Sequence, residues 1–86
     1  MLRVKLQGET KIDSLQINGD FFLHPEESLQ KIETALLGLP LNSEGQVFSQ
    51  KIQEALDKEK AAFIGITADD IAQTMKEALQ NANSLN

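Results

Sequence analysis

At 86 residues the chain has room for one domain, 1–86, and for a modest core that buries roughly 60–65% of the surface its unfolded form exposes. With no cysteine, one histidine and a net charge of −5 from 13 acidic and 8 basic residues, its composition argues against disulfides, zinc or thiolate metal sites, nucleic acid and anionic membranes. No apolar run approaches the ~20 residues of a membrane span, and the N-terminus lacks a signal-peptide h-region, so a soluble cytoplasmic protein is expected.

Leu2, Val4 and Leu6 alternate with Arg3, Lys5 and Gln7, which predicts a half-buried strand. Gly8-Glu9-Thr10 reads as a hairpin tip, with the second strand resuming near Asp13 or Ser14. Ile12 is out of phase with Leu15 and Ile17 and is expected in the loop or at a bulge. With Leu15, Ile17, Gly19 and Phe21 on one face, Phe22 points to the other, because strand side chains alternate. Gly19 permits a bulge or a close backbone approach, and Asp20 tolerates turn geometry and can bond local N–H groups. His24, held extended by Pro25, suits a helix N-cap with Pro25 at the first helical position. Glu26 and Glu27 then complement the positive end of the helix.

The first helix is predicted from about Pro25 to Leu37, with Leu29, Ile32, Ala35 and Leu36 inward and Glu27 paired with Lys31. Gly38 and Pro40 stop it, and Leu39 and Leu41 cap the core. The second helix begins after Asn42-Ser43, with Ser43 and Gln46 in capping-box positions. It buries Phe48, Ile52, Ala55 and Leu56, with Val47 at one side, pairs Glu54 with Lys58, and closes on the solvated run Asp57-Lys58-Glu59-Lys60. Residues 61–66 are too short for a helix and read as a buried connector or a third short strand. Thr67, with Asp70 in the capping-box position, starts a third helix whose inner stripe is Ala68, Ile71, Ala72, Met75, Ala78 and Leu79. Residues 81–86 are polar, and a frayed tail is expected at 83–86. The fold class is therefore α+β: a small antiparallel sheet built on the N-terminal hairpin, with three helices packed against it.

Catalytic chemistry is not visible in the chain, and no catalytic residue and no metal ligand is assigned. Phosphate-binding glycine loops are missing, and His24 has no nucleophile beside it. Asp69 and Asp70 look like paired carboxylates, yet adjacent helical residues diverge by ~100°, and capping explains them better. Asp20 serves either turn hydrogen bonding or a partner contact. Of Phe21 and Phe22, at least one belongs to the core, and the other is a candidate contact residue, since Phe is enriched at interface centres. The candidate interface is Gly19, Asp20, Phe21, Phe22 and His24.

Ile17-x-Gly19-Asp20-Phe21-Phe22-Leu23-x-Pro25-Glu26-Glu27, followed by Ile32-Glu33-x-x-Leu36-x-Gly38, resembles the C-terminal accessory domain of lipoate–protein ligases. So does Phe63-x-Gly65-Ile66-Thr67-x-x-Asp70-Ile71-Ala72, which makes Pro25, Gly38, Gly65 and Thr67 structural positions of the motif. The resemblance spans nearly the whole chain, with Gly-Asp-Phe-Phe its most specific part. It implies a fold similar to iron–sulfur scaffold and sulfur-acceptor proteins, which work through cysteines that this chain lacks.

In that family the domain is fused behind the catalytic domain or forms a separate small subunit, and Met1 with the short length looks like the latter, a heterodimer partner. The resemblance further implies a noncatalytic role. The catalytic domain supplies the lysine, the nucleotide site and the lipoate pocket, while the accessory domain is needed to make lipoyl-adenylate from lipoate and ATP with Mg. No cofactor is expected on this chain alone. The alternative is a cysteine-free adaptor of the sulfur-transfer scaffold fold with an unrelated partner.

Overall fold

The alternation in the first two segments is satisfied by an antiparallel hairpin in which β1 (Leu2–Gln7) pairs with β2 (Ser14–Gly19), Val4 opposite Ile17 and Leu6 opposite Leu15. The computed structural model describes residues 2–84, with side chains described for residues 2–80. Leu15 and Ile17 are buried, Leu2, Val4 and Leu6 pack half-buried beside them, and Arg3, Lys5, Gln16 and Asn18 face outward. Gly8 makes the hairpin end possible: a Cβ there would lie 1.7 Å from the Lys11 carbonyl oxygen, at a φ of 157°.

After a bend at Asp20 the chain enters a second, separate ribbon. In it β3 (Phe22–His24) pairs antiparallel with β4 (Ala62–Ile64). The expected third short strand therefore exists, but it pairs with β3 and not with the hairpin. The α+β class holds, with four strands among the described residues divided between two antiparallel pairs.

The helices are α1 (Ser28–Leu36), α2 (Gly45–Glu59) and α3 (Ala68–Ser84). Helix α1 lies against β2 and β3, α3 lies against β1, and α2 packs on both helices. Phe48 and Ile52 of α2, Ile32 and Leu36 of α1, and Ile71 and Met75 of α3 are fully enclosed between these layers. Ile12 joins them at 1% exposure. It lies outside the strands, as its phase predicts, but it is core: its N–H donates to the Leu39 carbonyl at 2.9 Å and its carbonyl accepts from Gly38 at 2.8 Å. Those two bonds fasten the hairpin to the α1–α2 connector, where Leu39 and Leu41 pack on the core as expected.

Several local expectations are corrected. The first helix starts at Ser28, not Pro25. His24 is not its N-cap, because His24 is taken into the β3–β4 ladder opposite Ala62. Pro25, joined to His24 by a cis peptide, opens a turn in which Ser28 and Leu29 donate to the carbonyls of Pro25 and Glu26 at 3.1 Å. Glu27 is the N-cap, with no side-chain capping bond, so Glu26 and Glu27 precede the first turn. Ala35 is exposed, and Lys31 reaches Glu59 across on α2 at 3.0 Å instead of pairing with Glu27. Ser43 does not cap α2: its hydroxyl donates back to the Pro40 carbonyl at 2.6 Å, and Glu44 takes the N-cap position. Val47 is exposed, and Glu54 lies 3.9 Å from Lys51, not against Lys58.

The Thr67 capping box is present in both directions. The Thr67 N–H donates to Asp70 Oδ2 at 2.9 Å, and the Asp70 N–H donates to Thr67 Oγ1 at 3.1 Å. Part of the tail expected at 83–86 lies outside the described residues.

Candidate partner-docking site at the β2–β3 junction

Strand β2 ends at Gly19, opposite Leu2, and Asp20 turns the chain toward the second ribbon. The two aromatics then part, Phe21 at the entrance to the ribbon and Phe22 as its first residue. Phe21, just before it, is half-buried and meets Phe63 edge-to-face, with ring centroids 5.6 Å apart and planes at 76°. Leu23 is buried and pairs in register with Phe63, so these residues form the inward side. Phe22 and His24 point outward, as do their partners Ile64 and Ala62. Phe22 is 73% exposed and Ile64 61%, and the two face each other across the ladder. Of the two phenylalanines, Phe22 is the one presented to solvent.

Gly65 closes this corner with a φ of 99°, a backbone conformation that L side chains rarely adopt. Its missing Cβ would sit 3.9 Å from the Asp20 carbonyl oxygen and the Phe21 Cα. The Gly-Ile-Thr connector and the Gly-Asp-Phe-Phe segment, far apart in sequence, therefore meet in space. A shallow hollow of about 360 Å³ runs beside Phe22, lined by Ile17, Phe21, Leu23 and Leu29 together with the acidic Glu26.

The five predicted interface residues are thus contiguous, though with different roles: Phe22 and His24 are presented outward, Phe21 is tied into the core, and Gly19 and Asp20 shape the bend. Pro25 follows directly, Gly65 is adjacent, and Thr67 caps α3 just beyond it. Gly38 lies elsewhere, at φ 87°, where its N–H serves Ile12. Sequence reasoning missed Ile64 and Ala62. The signal was available: in a strand with Phe63 inward, its two neighbours must face outward.

A larger open groove of about 760 Å³ separates α1 from α2, but two of its lysines are engaged, Lys31 by Glu59 and Lys51 by Glu54. Among the described residues, no group of three or more His, Cys, Asp or Glu is arranged to hold a metal ion, and no helix is long and apolar enough to cross a membrane.

No family model matches the chain, and no curated protein matches it. Among solved structures, the fold superposes on a chain of an archaeal lipoylation system from Thermoplasma acidophilum, described as a bipartite lipoate protein ligase and its E2 lipoyl domain. The likeness is to a lipoate–protein ligase system. It has a TM-score of 0.69 at 25% identity and covers 86% of this chain and 80% of that one. The near-equal shares mean that the two chains are similar in length. The accessory-domain resemblance carried by Gly-Asp-Phe-Phe is thereby supported in three dimensions.

Proposed function

We propose that this protein is the noncatalytic accessory component of a lipoate–protein ligase, needed by a separate catalytic component to activate lipoate with ATP to lipoyl-adenylate. One observation carries the reading: the fold is shared over most of both chains with a member of a lipoylation system whose ligase is bipartite. The Phe22–Ile64 face adds a physical reason, since a domain of this size gains from a partner that covers an exposed aromatic. ATP, Mg and lipoate belong to the catalytic component in this reading, and the complex works in the cytoplasm as a heterodimer. The net charge of −5 argues against nucleic acid as the partner.

The test is lipoyl-adenylate formation by the candidate catalytic component with this protein titrated in. Saturable activation at fixed stoichiometry is the expected result. Adenylation already complete without it, and unchanged on its addition, would overturn the accessory role. Adenylate formed by this chain alone would overturn its noncatalytic character.

A further inference from the structure

We propose that the outer face of the β3–β4 ribbon, centred on the cross-strand pair Phe22–Ile64 with Ala62 beside it, is the surface that seats this chain on the larger catalytic component. The seat it meets is apolar and edged by lysine or arginine. The proposal rests on the functional reading above and adds to it the surface and the chemistry of its counterpart.

Among the described residues, four large hydrophobic side chains are notably exposed: Phe22, Leu37, Val47 and Ile64. Leu37 and Val47 stand on separate elements, whereas Phe22 and Ile64 are direct ladder partners. A scattered apolar residue is ordinary, but a paired aromatic and β-branched residue on one outward face forms a patch. The inward side of the ribbon already supplies Leu23 and Phe63 to the core, so alternation leaves the outward pair nothing within the ribbon to cover it. The patch is small, which suits the anchor at the centre of an interface whose polar rim lies around it.

Charge selects the occupant. The hollow beside Phe22 is lined mostly by apolar residues and by Glu26, which is exposed like Glu27 next in the chain. Such a site accepts a long basic side chain, its methylene stem on the apolar lining and its cation on the carboxylate. A second copy of this chain would bring the same acidic residues and the same charge of −5 against it, and is disfavoured. An aromatic–aliphatic anchor also suits a resident subunit better than a carrier that must arrive and leave each turnover, since permanent interfaces are the more hydrophobic class.

The experiment is calorimetric titration of the full chain into the candidate catalytic component at low and high salt. Variants are Phe22→Ser, Ile64→Ser, Glu26→Gln and, as an exposed apolar control on α2, Val47→Ser. The expected result is affinity weakened about tenfold or more by each ribbon substitution, untouched by Val47→Ser, and less salt-dependent in Glu26→Gln, with melting temperatures little changed. A complex indifferent to both ribbon substitutions overturns the surface and leaves the functional reading standing. No complex from the unaltered chain overturns both. Collapse of thermal stability in both ribbon variants would place the pair in the core and overturn the surface, as would self-association abolished by Ile64→Ser.

Discussion

Glu33 shows how one side chain joins two layers. Its Oε2 accepts the Ile17 N–H at 2.8 Å, so a carboxylate from α1 satisfies a backbone donor on the edge of β2. Leaving a partly buried donor unmet costs about 1–3 kcal/mol. Glu33→Ala is therefore expected to lower the unfolding free energy by about that much, read by urea denaturation, and an unchanged midpoint would show that water replaces the carboxylate at no cost. The motif containing Glu33 was visible in the sequence, but its bond was not, because its partner lies on another element. The same holds for Ile12. Its phase excluded it from the strand, while its burial came from the α1–α2 connector folding over it.

At the scale of elements, local chemistry and tertiary demand divide the helix starts between them. Thr67 and Asp70 lie three apart and bond reciprocally, so proximity in sequence sufficed. Ser43 and Gln46 have the same spacing, yet the Ser43 hydroxyl turns back to Pro40 and the Ser43 carbonyl accepts Lys76 Nζ of α3 at 2.8 Å. A cap competes with other acceptors for one hydroxyl, and here the connector wins. Thr67→Ala should accordingly cost about 1 kcal/mol, or about 4–8 °C in melting temperature, in a domain of this size. Ser43→Ala should cost clearly less, and equal losses in thermal melts would contradict the assignment. The helix expected to begin at Pro25 begins later for a related reason: β4 recruits His24 into its ladder, so the extended chain runs up to the proline.

At the scale of the molecule, the decisive feature among the described residues is the apolar pair Phe22–Ile64 that folding leaves outside. Phe22→Ala removes a ring that is 73% exposed, so it should move the melting temperature little. In an adenylation assay reconstituted with the catalytic component, the same substitution should cut partner-dependent turnover at limiting concentrations of this chain. Full activity with the variant, at concentrations where the unaltered chain is not saturating, would separate Phe22 from the accessory role. A large loss of thermal stability would instead assign the ring to the core.

By itself the sequence determined the α+β class, the hairpin, the three helices, the buried face of α2 and the Thr67 cap. These follow from periodicity and from bonds between residues a few positions apart. It also anticipated that one of Phe21 and Phe22 joins the core and the other faces out, although the strand expected to carry both breaks at Asp20 and Phe21 lies just ahead of β3. The tertiary structure alone decided that β3 takes β4 as its partner and that the strands divide into two ribbons. It likewise set Ile64 beside Phe22 and recruited Ile12 to the core. Those outcomes depend on which distant segments meet, and strand pairing between distant segments leaves no periodic mark in either of them.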